Sequence, residues 1–95
     1  MAHLKRPVII LSRNEDCVDP SVHTLLVVPT SSRIDLRRAN DILLEAGEGG
    51  LDHPSIVEVD LLSPVLKEEL LDPLGQLRDF RLVAIRQAVA RSIDL

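Results

Sequence analysis

Val8-Ile9-Ile10-Leu11 and His23-Thr24-Leu25-Leu26-Val27-Val28 are the two stretches whose reading decides the fold. Each is a short, continuous apolar run rich in β-branched residues, and each is bounded by turn formers, which predicts two buried strands. Pro7 introduces the first, a position where a strand tolerates proline because no ladder hydrogen bond is lost. The polar cluster Ser12-Arg13-Asn14-Glu15-Asp16 ends it, Asp19-Pro20-Ser21 marks a turn, and Pro29 is expected to stop the second strand. The connection between them, roughly ten mostly polar residues, is too short for a typical crossover helix, so the strands are predicted to be antiparallel neighbours.

Outward from this pair the pattern weakens and then recovers. Residues 32–46 read two ways: as a helix running from a Ser32 cap through Ile34, Leu36, Ile42, Leu43 and Leu44, or as a loop followed by a short strand at Asp41 to Ala46. Gly47, Gly49 and Gly50 end the segment on either reading and suggest a hairpin loop. After the turn Asp52-His53-Pro54, the run Ser55 to Leu62 alternates around Val57, Val59 and Leu61, which predicts a strand with one wet face. Pro64 and Val65 continue it as an edge or bend, and Leu66 to Leu71 suits one helical turn before Asp72-Pro73. The last element is a helix with Asp79 as N-cap and Leu82, Ile85, Val89 and Ile93 at spacings of three and four. The predicted class is therefore mostly β with a C-terminal helix, an α+β domain spanning residues 1–95.

Composition narrows the function classes. Ninety-five residues suffice for one modest core, and Phe80 is the only aromatic side chain, so that core is aliphatic. Such a small domain is marginal alone, which makes dimerisation through an apolar face an expectation. Cys17, the single cysteine, excludes an internal disulfide framework and fits a reducing cytoplasm. Met1-Ala2-His3-Leu4-Lys5-Arg6-Pro7 meets a proline before any apolar run, unlike a signal peptide, and no run approaches the ~20 residues of a membrane span. Eleven basic against fifteen acidic residues give a net charge of −4, which argues against a general nucleic-acid coat protein. The signs are segregated, however. Lys5, Arg6, Arg13, Arg33, Arg37 and Arg38 lie early, whereas Glu45, Glu48, Asp52, Glu58, Asp60, Glu68, Glu69 and Asp72 crowd the middle, leaving room for a local basic site on an acidic body.

Several chemistries drop out. His3, His23, His53 and Cys17 have no metal-ligand spacing, and Gly47-Glu48-Gly49-Gly50 lacks the Lys-Ser/Thr that follows a phosphate loop. No metal or other cofactor is expected. Two clusters remain. Pro7 restricts Arg6 to extended geometry, aiming a guanidinium whose fork suits bidentate phosphate contact. Thr30-Ser31-Ser32-Arg33, after the second strand, offers hydroxyls and a second arginine as an oxyanion or phosphate cradle. Taken singly, each cluster reads as a solvated strand end. Antiparallel pairing would bring them to one edge of the sheet, where they read equally well as a site.

With these residues in hand, the chain resembles the PemK/MazF toxins of type II toxin–antitoxin systems. Arg6-Pro7-Val8-Ile9-Ile10-Leu11-Ser12 is similar to the family's Arg-Pro-Val-Val-Val-Leu-Ser strand, and Val27-Val28-Pro29-Thr30-Ser31-Ser32 to its Val-x-Pro-x-Thr-Ser segment. Gly50-Leu51 with Pro54-Ser55-Ile56-Val57 and Asp60 resembles its Gly-Leu…Ser…Asp-Gln strand, and Gly75-Gln76-Leu77 with the last helix fits its ending. The resemblance implies an SH3-like, partly open β-barrel of the PemK/MazF/CcdB type, a homodimer, a cognate antitoxin partner and a strand at Asp41 to Ala46. It further implies a metal-independent endoribonuclease acting on single-stranded RNA, or a truncated relative of one. In that chemistry Arg6 stabilises the phosphorane, Ser31 donates a hydroxyl in place of the family's threonine, and Asp60 takes the acidic position. Lys5, Asn14, Thr30, Ser32 and Arg33 are the expected substrate contacts. Family members usually carry an Arg-Gly-Asp strand and a glutamate loop ahead of the Arg-Pro strand, and Gln and Arg where this chain has Leu61 and Ser63. Five residues precede Arg6, so the expected barrel has an open edge for strand exchange, another dimer or a partner to cover. The alternative is a non-enzymatic module on the same fold, binding an antitoxin or inhibiting a protein target as gyrase-poisoning relatives do.

Overall fold

The computed structural model describes residues 6–93. Its elements in chain order are β1 (Val8–Ile10), α1 (Asn14–Val18), β2 (Thr24–Ser31), β3 (Ile42–Leu44), β4 (Ser55–Val57), β5 (Ser63–Leu66) and α2 (Asp79–Ile93), with 3-10 turns at Ile34–Leu36, Glu48–Gly50, Val59–Leu61 and Lys67–Glu69. The two opening stretches are antiparallel neighbours as expected, with Val8 opposite Pro29 and Ile10 opposite Val27. The connection between them nevertheless contains a short helix, α1, inside what reads in sequence as a polar loop.

The long strand β2 organises everything else. Its first half pairs antiparallel with β5, from Thr24 opposite Leu66 to Val27 opposite Ser63. Its end pairs with β4, through Thr30 opposite Val57 and Ser31 opposite Ile56. β4 in turn carries β3. The result is a five-stranded antiparallel sheet, ordered β1-β2-β4-β3 with β5 also on β2, that curls into a partly open barrel.

Pro29 does not stop β2, and the reason lies in the ladder. The N–H of Thr30 donates to the Pro7 carbonyl on the β1 side, and the N–H of Glu58 donates to the Pro29 carbonyl on the opposite side. Within a strand a residue's N–H and C=O face the same neighbour. The N–H that proline lacks would therefore point where β2 changes partner from β5 to β4, opposite Glu58 just past the end of β4, so the one bond forgone lies at the margin of the ladder.

The core is aliphatic, as the composition requires. Val28, Leu44, Val57, Val59, Ile85, Ala88 and Val89 form its buried centre, with Ile9, Leu11, Ile42, Leu51, Leu62 and Leu77 packed around them. At about 1.5–3 kcal/mol per buried aliphatic side chain, this cluster is the main attractive contribution to folding. Helix α2 supplies Ile85, Ala88 and Val89 to it, while Ile93 is exposed, so the apolar stripe is shorter than the sequence periodicity suggests. Arg78 rather than Asp79 caps the helix: its carbonyl accepts from the N–H groups of Arg81 and Leu82.

Three further expectations are corrected. Val8 and Ile10 are exposed, so β1 is half-buried rather than an interior strand, and among the described residues it pairs on one side only. The alternation from Ser55 to Leu62 is not one strand. β4 ends at Val57, all three of its residues are buried, and the Val59–Leu61 turn presses Val59 into the core beneath α2. Pro64 and Val65 belong to a separate strand, β5. The ambiguous segment resolves into the Ile34–Leu36 turn followed by strand β3, in agreement with the strand alternative. No helix among the described residues is long and apolar enough to cross a membrane.

Candidate functional site

The register of β1, β2 and β4 assembles one site from three separated pieces of sequence. Val8 opposite Pro29 sets Arg6 and Pro7 beside Thr30 and Ser31, and Ser31 opposite Ile56 brings in Ser55 at the start of β4. Together Arg6, Pro7, Thr30, Ser31, Ser32, Arg33 and Ser55 line an open depression of about 300 Å³. The expected meeting of the two clusters at one end of the sheet is realised.

The hydroxyls of this depression are not equivalent. Thr30 is buried, and its Oγ1 donates to the Pro7 carbonyl at 2.8 Å, beside the bond from its own N–H to the same oxygen. Its proton thus holds the chain that carries Arg6. Ser55 is also buried and donates to the His53 carbonyl at 3.1 Å. Ser31 differs. Its Oγ accepts the backbone N–H of Arg33 at 3.1 Å, and among the described residues its own proton has no acceptor. Of the three hydroxyls that the sequence Thr30-Ser31-Ser32 places side by side, Thr30 has committed its proton, whereas among the described residues Ser31 and Ser32 keep theirs to offer a ligand, Ser31 directly opposite Arg6 in the β1–β2 register.

The two arginines differ as well. Arg6 is exposed and has no side-chain hydrogen bond or ion pair among the described residues. Arg33 is already engaged. Its Nε and Nη2 each lie 3.3 Å from a different carboxylate oxygen of Asp35, raising the guanidinium above and lowering the carboxyl below their ordinary pKa values, chiefly through that hydrogen-bonded pairing.

Not every expected residue reaches the depression. Asp60 lies beyond the far end of β4, on the Val59–Leu61 turn, where it faces Arg38 at 3.8 Å. Asn14 starts α1, past the opposite end of β1 from Arg6, and is exposed. Ser32 lines the depression; Lys5 lies outside the described residues. Two residues went unnoticed as site members. Ser55 stands in the stretch that resembles the family's Gly-Leu…Ser…Asp-Gln strand, the signal that could have found it, and Asp35 is recognisable only once the turn sets it beside Arg33. Buried Asp41 anchors the intervening loop, accepting the Arg38 N–H at its Oδ2 and the Arg37 Nε at its carbonyl.

Comparison with known proteins agrees with this architecture. A curated relative described as probable endoribonuclease MazF5 of Mycobacterium tuberculosis is 33% identical over 90 residues, covering 95% of this chain and 80% of the relative. The solved structure of the Mycobacterium tuberculosis toxin MazF-mt6 superposes with a TM-score of 0.79 at 27% identity, over 95% of this chain and 87% of that one. A crystal structure of an Mtb toxin gives a TM-score of 0.78 at 25% identity, over 93% and 92% of the two chains. The model of the PemK-like, MazF-like toxins matches residues 2–93. Alike in sequence over nearly its whole length and alike in fold, the chain belongs to the PemK-like, MazF-like toxins of type II toxin–antitoxin systems.

Proposed function

We propose that this toxin is a metal-independent endoribonuclease that cleaves single-stranded RNA at the depression between Arg6 and Ser31. The observation that carries the reading is the meeting, along one depression, of a guanidinium and a hydroxyl proton that are both without a partner among the described residues. In the reaction the 2′-oxygen of a nucleotide attacks the adjacent phosphorus. As that bond forms, the bond from phosphorus to the 5′-oxygen breaks, leaving a cyclic phosphate and a 5′-hydroxyl. One proton leaves the attacking oxygen and one arrives at the departing oxygen, so the reaction needs no co-reactant.

Negative charge builds on the non-bridging phosphate oxygens on the way to the phosphorane, and preorganised donors lower the barrier most where that charge develops. Arg6 meets this need with a planar, permanently charged fork carried on a backbone that the Thr30–Pro7 contacts hold. Ser31 supplies a neutral donor beside it. Arg6 also assists proton transfer in this reading, and Ser32 and Arg33 take flanking phosphates. Thr30 serves as the brace behind Arg6. Asp60 acts through Arg38 at the other end of β4, away from the scissile phosphate.

Purified protein incubated with a long unstructured RNA in the presence of a chelator tests the proposal. Arg6→Ala is expected to slow cleavage by about 10²–10³-fold, the usual loss on removing a transition-state donor. Equal cleavage by the two proteins would remove Arg6 from the catalytic role.

A toxin of a type II system is paired with an antitoxin protein, and the family implies such a partner here. The full reading places the toxin in the cytoplasm as a homodimer. The exposed apolar residues Val8 and Ile10 of β1 are candidate contacts, and sedimentation at several concentrations measures the assembly.

A further inference from the structure

We propose that Asp35 is a built-in competitor for the substrate: its carboxylate occupies the Arg33 fork, and an RNA phosphate must displace it to bind there. This rests on the reading of the depression as an RNA site and adds to it a resident anion that sets the threshold for binding.

Arg33 lines the depression that Arg6 enters from the opposite strand. Its side chain meets Asp35 through two parallel contacts, Nε to Oδ1 and Nη2 to Oδ2, both 3.3 Å. Two oxygens of a phosphate would occupy the same fork in the same way. The competitor therefore blocks the function of Arg33 as well as neutralising its charge.

The pair is also built to exchange. Its side chains are 67% and 63% exposed, and its contacts are longer than the 2.7–2.9 Å common in strong charge-assisted bonds. Exposed pairs of this kind contribute little net stability. The backbone around them stays in place: Ser31 Oγ holds the Arg33 N–H, and the Leu36 N–H donates to the Arg33 carbonyl at 3.0 Å across the turn. Displacement thus needs only a side-chain swing by Arg33, with Asp35 remaining close enough to reclaim the fork when the ligand leaves.

Discrimination by ligand length follows. A single phosphate can use Arg6 without disturbing Arg33. A chain that spans both arginines adds a second phosphate contact, which offsets loss of the Asp35 pairing. The acidic body of the protein, net charge −4, makes such a threshold effective against weakly held anions.

Binding separates this inference from the proposed cleavage. The probe is a fluorescent single-stranded RNA carrying 2′-O-methyl groups throughout, which cannot undergo 2′-oxygen attack, titrated at fixed low salt. Wild type, Asp35→Asn, Arg33→Ala and the double variant are compared, with Glu68→Gln, exposed at the other end of β2, as a control for net charge. Asp35→Asn is expected to tighten Kd by about two- to five-fold, more than Glu68→Gln does. In the Arg33→Ala background the same change should fall to the Glu68→Gln level. An Asp35 effect no larger than the control's, or one undiminished without Arg33, overturns the competitor role while leaving the RNA site standing. Failure of the wild type to bind the probe overturns both.

Discussion

Two arginine–carboxylate pairs in this small protein have the same chemistry and opposite uses. Arg33 and Asp35 are two residues apart, two-thirds exposed, and meet at 3.3 Å. Arg81 and Glu48 are 33 residues apart, about one-quarter exposed, and meet at 2.7 and 3.0 Å, with Glu48 Oε2 also accepting the Glu45 N–H at 2.7 Å. The first pair spans one turn and constrains almost nothing. The second fastens the loop between β3 and β4 to helix α2. Burial and sequence separation, rather than residue type, decide whether such a pair holds the fold or remains exchangeable.

Backbone packing reinforces the second region, and there the largest effect is expected. Gly50 has φ 81°, and a Cβ on it would run into the Leu74 carbonyl oxygen. Gly75 is similarly pressed against the backbone of Gly49. Gly50→Ala combines a left-handed backbone with a backbone clash and should cost about 2–4 kcal/mol, measured by urea unfolding. A loss under about 1 kcal/mol, smaller than the strain of the left-handed conformation alone, would show that the loop can part from the 74–75 segment without consequence.

The ion pair of the same region comes next. Arg81→Met leaves Glu48 partly buried without its partner and should cost about 1–3 kcal/mol. This contribution depends on pH. Hydrogen bonding by Arg81, then by the Glu45 N–H, holds the folded Glu48 carboxyl below its ordinary pKa. A group depressed on folding stabilises the protein above its unfolded pKa, and that stability is lost as pH falls through the folded value. Glu48→Gln should therefore lower stability at neutral pH and flatten the acid limb of the unfolding profile. An unchanged acid limb would mean that other carboxylates carry it.

The smallest effect belongs to the first region. Arg33→Ala should leave the urea midpoint unmoved, because both partners are solvated and local, while weakening RNA binding. A clear loss of stability would move this pair into the same class as Arg81 and Glu48, and would sharpen the comparison by showing that exposure alone does not predict exchangeability.

The same contrast explains which parts of the molecule were legible in sequence. Continuous β-branched runs bounded by turn formers mark strands, so β1, β2 and their antiparallel pairing could be read from Val8 to Leu11 and His23 to Val28, although the burial expected of β1 did not follow. Features that depend on a distant partner could not. Pro29 looked like a stop because its sequence does not reveal that β2 changes neighbours there. Val57, Val59 and Leu61 imitated a strand because a 3-10 turn that buries only Val59 can place apolar residues at the same spacing. Asp60 looked like a site acid by its place in the motif, whereas the fold sets it against Arg38.

What the sequence determined by itself is the local chemistry: an aliphatic core, two adjacent strands, a closing helix, and Arg6 aimed by Pro7. It also carried enough of the family's motifs for the resemblance to be recognised. What only the tertiary structure decided is how that chemistry is spent. Among the described residues, Thr30 gives its proton to Pro7, Ser31 keeps its own, Arg6 stands unengaged and Arg33 is held by Asp35. The physical reason is that hydrogen-bond saturation depends on distance in space. Residues 23 to 25 positions apart along the chain become neighbours only when the register of β1, β2 and β4 brings them together.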